Sequence, residues 1–186
     1  MRMRGVMGML AVCAALAACK AAPAASGPVT ADADPTQRTY GMNLKLTENG
    51  ILKADLYGDT AFTQPNTEVT ELKGVKLTFF DSEGKKPGKL TSRTGEYDAR
   101  TGIMIARGNV VLITQNDKGQ ERVIKSEELY YDQRGDRVWS ERETIIDEAG
   151  RHAVTDGFTS DTRFTNMRGT NAKSTGIRVN AGEGGL

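Results

Sequence analysis

Apolar and polar residues alternate along much of the chain after residue 38, with the period of two that is typical of β-strands. Val75, Leu77 and Phe79 are separated by single polar residues. A second apolar set shares one parity and consists of Met104, Ala106, Val110 and Leu112. No window of a dozen residues shows the period of 3.6 that indicates an amphipathic helix. The pattern therefore predicts an all-β domain with little or no helix.

Glycine-containing polar segments separate the apolar runs and predict where the chain turns or bends. The segment from Asn116 to Gly119 has the composition of a hairpin turn. Gly108 and Asn109 interrupt an apolar run, as a β-bulge or a sharp bend does. We interpret Gly95 in the same way as Gly108 and Asn109: all three are predicted to form structural turns or bulges and not to bind a ligand.

One segment returns in modified form further along the chain. Leu90 to Asp98 reads LTSRTGEYD, and Ile124 to Asp132 reads IKSEELYYD. Each copy is followed by a polar turn and a second apolar run. A single hairpin of this kind cannot bury its apolar face alone. The repeat therefore predicts a stacked or rolled β structure built from repeated hairpins, which more often forms a surface or groove than a catalytic centre.

Both faces of the strand around residue 108 carry apolar residues. Ile103, Ile105, Val111 and Ile113 have the parity opposite to that of Met104 and its partners. A sheet with one wet face should alternate cleanly. Two explanations remain open: the strand lies between layers or at an interface, or one of its faces lines an apolar groove that a ligand fills.

The N-terminus has the pattern of an exported protein. Arg2 and Arg4 precede an apolar run, Val6 to Leu16, that is too short to span a bilayer. The run ends in Leu-Ala-Ala-Cys19, which resembles the bacterial lipobox, so we expect cleavage before Cys19 and lipidation of its thiol. The alternative is a plain secretory signal that ends near residues 21–25. Cys13 is the poorer candidate, because the branched Val12 precedes it.

These features divide the chain into four predicted parts. Residues 1–18 are the signal peptide, and residues 19–38 are the lipidated cysteine and a flexible linker rich in alanine and proline. Residues 39–180 form the β domain. Residues 181–186 form a glycine-rich, disordered tail. Since both cysteines lie before residue 20, the domain has no thiol for a disulfide and depends on its apolar core.

Charge and candidate chemistry argue against several classes of function. Lys and Arg number 25 against 24 Asp and Glu, so nothing in the net charge suggests a nucleic-acid partner. His152 is the only histidine and has no ligand partners at metal-binding spacing, so no metal or cofactor is predicted. No Gly-x-Ser-x-Gly motif or phosphate-binding loop is present. We therefore expect a protein that is not an enzyme.

The order and spacing of several short motifs resemble the LptC family, the periplasmic component of lipopolysaccharide export, and its OstA-like relatives. The motifs run from Leu72 to Gly84, from Leu90 to Asp98, and through Gly108-Asn109-Val110-Val111 to Leu129-x-Tyr131-Asp132. The match covers residues 39 to 170 approximately. The resemblance implies an open, twisted antiparallel β-jellyroll whose apolar interior accepts the acyl chains of lipopolysaccharide. Well-known members carry an N-terminal transmembrane helix, and in this chain we expect a lipid on Cys19 to take its place.

The resemblance also implies which residues would line the lipid groove. They are the inward residues of the predicted strands: Val75, Leu77, Phe79, Tyr97, Met104, Val110, Leu112, Leu129, Tyr131, Val138 and Ile146. The alternative is that they form an ordinary core, because a groove and a core use the same apolar chemistry. Basic residues between Lys85 and Arg107 could meet phosphates at the mouth of the groove or form a solvated face.

The expected function is therefore lipopolysaccharide transport without catalysis. The protein would bind lipid A acyl chains, receive them from an inner-membrane ABC transporter and pass them to an LptA-like β-jellyroll. The hand-off would occur by edge-to-edge contact near Phe158 to Val179. We expect a periplasmic location with the lipid anchor in the inner membrane, the outer membrane being the alternative. Rival functions are an envelope scaffold that binds only proteins and an enzyme or lectin that acts on envelope polysaccharide.

Overall fold

The computed structural model describes residues 36–116 and 118–176, and the regular elements in these ranges are β-strands. Their first strand begins at Gln37, two residues before the predicted start of the domain. The described ranges contain no helix long and apolar enough to cross a membrane. The predicted signal peptide, the predicted lipidation site Cys19 and the predicted tail at 181–186 lie outside the described residues.

Twelve strands make up the described fold, and the first six are long. They are β1 (Gln37–Glu48), β2 (Ile51–Thr63), β3 (Val69–Phe79), β4 (Gly88–Asp98), β5 (Ile103–Gln115) and β6 (Glu121–Asp132). The shorter strands are β7 (Arg137–Ser140), β8 (Thr144–Glu148), β9 (Arg151–Thr155), β10 (Gly157–Asp161), β11 (Arg168–Thr170) and β12 (Lys173–Gly176). The prediction of an all-β domain is confirmed.

All twelve strands belong to one antiparallel sheet, and consecutive strands pair from β1 to β7. The sheet then divides. The C-terminal half of β6 pairs with β7, which leads to β10 and β11, whereas the N-terminal half of β6 pairs with β8, which leads to β9 and β12. Val138 to Ser140 and Thr144 to Ile146 are consecutive apolar segments that sequence order alone would pair as a hairpin, but they do not pair with each other. Both pair with β6, like two pieces of one interrupted strand.

The sheet rolls over on itself and encloses its apolar face. Phe79 on β3 and Tyr131 on β6 would lie about 14 Å apart across three strand spacings of a flat sheet. Their ring centroids are instead 5.1 Å apart in an edge-to-face contact. Gln133, which follows β6, donates a 2.8 Å hydrogen bond from Nε2 to the carbonyl oxygen of Thr47 on β1. The interior is therefore formed by two parts of a single sheet that face each other.

The sequence repeat corresponds to two equivalent hairpins. In the first, Asp98 ends β4, and its carboxylate accepts hydrogen bonds from the backbone N–H groups of Arg100 and Thr101. In the second, Asp132 ends β6, and its carboxylate accepts hydrogen bonds from two backbone N–H groups at the same relative positions, those of Arg134 and Gly135. The aspartate that ends each copy thus starts the turn that follows it.

A line of backbone irregularities crosses the sheet at right angles to the strands, and we call it the crease. The strand registers place Gly41, Asp59, Gly74, Arg93 and the pair Gly108-Asn109 next to one another on β1 to β5. The line continues through Glu127 on β6 to the gap between β7 and β8. The glycines have φ angles between 62° and 74°, and Asn109 has a φ angle of 49°. These left-handed conformations bend neighbouring strands at the same level of the sheet.

The alternation of buried and exposed residues shifts at the crease. On β3, Leu72 and Val75 are both buried although they are three residues apart, and Gly74 lies between them. On β4, Ser92 and Gly95 are both buried with Arg93 between them. An extra residue at the same level of β2, β3 and β4 keeps the hydrogen-bond register of these strands aligned while each of them changes phase. On β5 the two residues Gly108 and Asn109 lie at this level, so the strand keeps its parity and its register shifts. The roll therefore consists of two half-sheets that meet at the crease.

Candidate functional site

The residues predicted to line the groove all face the interior of the roll. Ten of them are buried: Val75, Leu77, Phe79, Tyr97, Met104, Val110, Leu112, Leu129, Tyr131 and Val138. Ile146 on β8 is partly buried and packs against the same core. The structure thus brings together side chains from six strands on one inner face. Their role as a lipid lining stays a prediction, since an apolar core has the same composition.

The interior is packed and closed to water. Leu112 and Val138 are 0% exposed, and among the predicted lining residues that are buried only Tyr97 exceeds 1%. Depressions in the surface lie mainly on the outer face. One of about 370 Å³ is lined mostly by residues next to the crease, among them Asn109, Lys125, Glu143 and Ile145. The open groove expected from the sequence is therefore closed in this structure.

Several core residues were missing from the predicted lining. Leu46, Ala54, Leu56 and Ala61 come from β1 and β2, and Leu90 and Ile124 begin the two copies of the repeat. The alternation of Ala54 with Leu56 and the matching position of Leu90 and Ile124 in the repeat were signals that could have identified them. Phe158 and Phe164 are also buried. No periodic signal marks Phe164, because it belongs to a turn.

Three aromatic rings form a continuous row inside the roll. Phe79 lies at the centre and makes edge-to-face contacts with Tyr131 and, at a centroid distance of 5.2 Å, with Phe164. Phe164 belongs to the turn between β10 and β11 and has a φ angle of 60°. Its ring fills the space beside Gly88 at the start of β4. Aromatic contacts of this geometry stabilise a core beyond the area that they bury.

A small polar group lies among these apolar side chains. The Tyr97 hydroxyl donates a long hydrogen bond of 3.4 Å to Oε1 of Gln133. The Tyr131 hydroxyl is buried without a hydrogen-bond partner. Burial raises the pKa of the Tyr131 phenol, and the nearby carboxylate of Asp136 adds to the rise. The phenol is therefore neutral at physiological pH and presents an unused donor to the interior.

A largely buried ion pair lies where the turn of Phe164 meets β6. Arg122 and Glu148 are only 14% and 17% exposed, and Nε of Arg122 is 2.7 Å from Oε2 of Glu148. Nη1 of Arg122 also donates a 3.3 Å hydrogen bond to the carbonyl oxygen of Phe164. The hydrogen bond from Arg122 is the main cause that lowers the pKa of Glu148, and the hydrogen bond from Asn116 lowers it further. The pair fixes the position of the turn relative to β6 and β8.

Comparison with known proteins identifies the family. The family profile described as lipopolysaccharide-assembly, LptC-related, matches residues 9–163. The chain belongs to this LptC-related family. The fold is similar to the crystal structure of LptH from Pseudomonas aeruginosa, described as the LptA-homologous periplasmic component of the lipopolysaccharide transport device. That match has a TM-score of 0.50 and 12% identity, and covers 66% of this chain and 93% of LptH. No curated protein sequence matches the chain significantly.

This LptC-related protein therefore has the expected fold. The similarity to LptH at low identity shows the β-jellyroll architecture alone. The single open sheet, its rolled interior and its antiparallel strands agree with the fold class that the sequence motifs predicted. The family resemblance drawn from the order of short motifs is likewise confirmed by the profile match.

The glycine and asparagine predicted to form a bulge lie at the crease of the LptC-related protein. The register between β5 and β6 shifts between Arg107 and Val110, on either side of Gly108 and Asn109. Gly95 differs from that prediction. It lies in regular pairing with Leu72 and Ala106, beyond the register shift of β4. A Cβ atom there would lie 3.0 Å from the carbonyl oxygen of Ile105 and 3.1 Å from Cγ2 of Val75, so Gly95 serves close packing.

The outer face of the sheet carries the apolar residues of the second parity. Ile103, Ile105 and Val111 are partly buried, and Ile113 is 43% exposed. Trp139 also lies on this face, where its ring stacks on Tyr130 at 5.0 Å and the guanidinium of Arg137 covers it. The inner face is therefore the fully buried one, and the outer residues lie on the surface of the described chain.

Basic residues of the segment between Lys85 and Arg107 do not form one patch. Arg107 contacts Glu96 at 2.5 Å and Glu128 at 2.7 Å. Lys85 pairs with Glu83 at 2.6 Å, and Arg100 pairs with Asp98 at 3.5 Å. These contacts favour a solvated face with local ion pairs over a binding site for phosphates.

The described residues offer no metal centre, since no group of three or more histidine, cysteine or acidic residues in them could hold an ion. His152 lies on β9, and its Nδ1 is 2.7 Å from Oδ1 of Asp147 on the neighbouring strand. Both side chains are exposed by more than a third. The pair is a surface contact between β8 and β9.

Proposed function

We propose that this protein is a periplasmic component of lipopolysaccharide transport that carries acyl chains in the interior of its rolled sheet. One observation supports the proposal most strongly: a member of the LptC-related family encloses a continuous apolar surface between two parts of a single open sheet. Burial of hydrocarbon against such a surface is favourable by about 25 cal/mol per Å². The cargo would be the lipid A part of lipopolysaccharide.

An open roll can admit a ligand more easily than a closed barrel can. Within the described residues, β1 pairs only with β2, β11 only with β10, and β12 only with β9. The facing parts of the roll meet through side chains and isolated hydrogen bonds such as that from Gln133 to Thr47. They can therefore separate without breaking a strand ladder. The lost apolar contacts would be replaced by contacts with the acyl chains.

The packed interior favours one rival function, an envelope scaffold that binds only proteins. Inner side chains such as Leu112 and Val138 are 0% exposed, as in an ordinary core. A scaffold would use the same sheet edges for protein contacts and keep its interior closed. The two functions differ in whether lipid ever reaches the inner face.

Photo-crosslinking from the two faces of the sheet separates these functions. A photoreactive residue at the inward positions Val110 or Leu112 should crosslink to lipopolysaccharide in cells. The same residue at Lys76 or Thr78 on the outer face serves as the control and should give no lipid adduct. Adducts to protein alone from all four positions would support the scaffold and contradict the carrier.

The membrane anchor is part of the proposal. We propose that the signal peptide is cut before Cys19, that the thiol of Cys19 is lipidated, and that this lipid holds the domain at the inner membrane, close to an ABC transporter. Replacing Cys19 with Ser should move the protein from the membrane fraction to the soluble periplasmic fraction. Cys13→Ser is the matched control and should leave the protein in the membrane. If Cys19→Ser remains in the membrane although its mass shows that the signal peptide has been removed, the anchor is not the lipid on Cys19.

We further propose that the C-terminal edge passes lipid to an LptA-like β-jellyroll. The edge strands β11 and β12 are short and leave backbone groups available for pairing with another strand. Proline in place of Ser174 removes a backbone N–H group from β12, and its ring hinders the addition of another strand at this edge. Cysteine crosslinking to the partner should weaken in this variant, whereas proline in place of Thr39 on the opposite edge, β1, should leave it unchanged. Loss of the crosslink only with the β1 variant would reverse the assigned edge.

A further inference from the structure

Phe164 is unusual among the core residues because a turn supplies it. The other buried apolar side chains of the described ranges lie on strands β1 to β7 and β10. Phe164 is 1% exposed, yet it follows β10 in a turn whose neighbouring residues Arg163, Thr165 and Asn166 are exposed. Its side chain can therefore leave the interior without disrupting any strand ladder.

The ring of Phe164 occupies a slot that is lined by Gly88 at the start of β4 and by Phe79 at the end of β3. A Cβ atom at Gly88 would lie only 2.4 Å from Cε2 of the ring, so the slot exists because residue 88 has no side chain. Phe79 forms the inner wall and contacts the ring edge to face at 5.2 Å. Beyond Phe79 lies Tyr131, and then the rest of the apolar interior. The slot thus leads from the surface turn directly to the core.

The conformation of the turn is strained and is held by polar contacts. The φ angle of 60° at Phe164 is rare for a residue with a bulky side chain. Asp161 compensates by accepting hydrogen bonds from the backbone N–H and the hydroxyl of Thr165. Arg122 donates to the carbonyl oxygen of Phe164. Release of the turn would therefore break a small set of polar contacts and no strand ladder, and it would relieve the left-handed backbone at Phe164.

We propose that Phe164 is a plug and that the slot beside Gly88 is the mouth through which a hydrocarbon chain enters the roll. This inference rests on the proposed carrier function and adds the place of entry. The ring occupies the position of the incoming chain, whose methylene groups would contact Phe79 in its place. Release of the turn exchanges one apolar occupant for another, so the interior stays dry while the cargo enters.

The test measures crosslinking of lipopolysaccharide to a photoreactive residue at Leu112 in the full-length protein. Phe164→Ala removes the plug, and the closed state no longer competes with the lipid. If the open state is a minor one, the lipopolysaccharide concentration that gives half-maximal crosslinking should fall about tenfold. Phe158→Ala is the matched control, because it removes a buried phenylalanine of the adjacent strand without opening the slot. It should leave that concentration unchanged.

The outcomes separate the plug from the carrier function. Equal effects of Phe164→Ala and Phe158→Ala, or no effect of either while the parent protein still crosslinks lipid, overturn the plug and leave the carrier intact. Absence of lipid adducts in both the parent and folded Phe164→Ala overturns the carrier function.

If Phe164→Ala fails to fold, Phe164→Trp in a Trp139→Phe background replaces it. Its tryptophan emission should shift to the red when lipopolysaccharide is added, and an unchanged spectrum under conditions that give adducts contradicts the plug.

Discussion

Gly88 and Phe164 lie 76 positions apart in the sequence and share one space at the start of β4. The ring of Phe164 occupies the volume that a side chain at residue 88 would need, with Cε2 2.4 Å from the position of a Cβ atom. The glycine is therefore required by its distant partner and not by its own backbone conformation, since its φ angle is not positive. This relationship makes the closed interior testable by paired substitutions.

Gly88→Ala should destabilise the protein only while Phe164 is present. The added methyl group clashes with the ring, and overpacking of this kind typically costs about 1–3 kcal/mol of unfolding free energy. In a Phe164→Ala background the ring is absent, so the second substitution should cost less than about 0.5 kcal/mol. Urea unfolding of the four proteins in this cycle measures the coupling.

Gly95→Ala provides the control for that cycle. A Cβ atom at residue 95 also meets close neighbours, Ile105 and Val75, but none of them belongs to the turn of Phe164. Its cost should therefore be the same with and without Phe164. Equal coupling for Gly88 and Gly95 would mean that Phe164→Ala loosens the whole core and that the slot is not specific.

Acid should weaken the contact that holds the Phe164 turn in place. The hydrogen bond from Arg122 keeps the pKa of Glu148 below its usual value of 4.5. A carboxylate with a lowered folded-state pKa contributes stability that is present above pH 4.5 and is lost as the pH falls through the folded-state pKa. The unfolding free energy should therefore decline below about pH 4.5.

Glu148→Gln removes this titration, so the acid-dependent loss between about pH 4.5 and pH 3 should be smaller than in the parent protein. At pH 7 the same variant should cost about 1–3 kcal/mol, because it leaves Arg122 largely buried without a charged partner. Glu83→Gln at an exposed pair is the control and should change neither quantity. Urea unfolding at several pH values measures both effects, and parallel pH profiles for parent and variant would contradict the assignment.

The crease should tolerate no side chain at Gly74. Its φ angle is 63°, and a Cβ atom would lie 1.9 Å from Oδ2 of Asp59. Gly74→Ala should therefore cost more than the roughly 1–2 kcal/mol expected for a left-handed alanine alone. Asp59→Ala should restore only the part that is due to the carboxylate, because Cβ of residue 59 would remain 2.9 Å from the added methyl group. Thermal unfolding of the single and double variants checks this, and full rescue would contradict a requirement on the backbone.

Removing the unpaired hydroxyl of Tyr131 should not harm the fold. Its oxygen is buried without a partner, and such a group carries a desolvation cost of about 1–3 kcal/mol. Tyr131→Phe should therefore leave the unfolding free energy unchanged or raise it. Tyr97→Phe removes the hydrogen bond to Gln133 and should lower the free energy by about 0.5–1 kcal/mol. A large loss in Tyr131→Phe would indicate that the hydroxyl has a bound partner in solution.

Local patterns in the sequence predicted much of the fold. The parity of Val75, Leu77 and Phe79 matches their burial, and the repeated aspartates Asp98 and Asp132 mark equivalent turns. These features depend on contacts between residues close in the sequence or on neighbouring strands. The period of two is sufficient to assign such residues to a face of a strand.

Other parts of the site depend on contacts that no local pattern reports. Phe164 packs against Phe79 and Gly88 because the sheet rolls, and the degree of rolling follows from bends on β1, β3 and β5. The closure of the interior also depends on side-chain packing, which parity alone does not determine. For the same reason the sequence could not show that Val138 and Ile146 lie on two strands that share β6 as a partner.

The crease has a consequence for how the length of the chain can vary. Deleting one residue at Gly74 or Arg93 would turn the remainder of that strand inside out, because every later side chain would exchange core for solvent. Neighbouring strands would keep their own extra residue, so the ladder would also fall out of step. Insertions and deletions should therefore be confined to the hairpin loops, and the strand interiors should keep a fixed count of residues from one relative to the next.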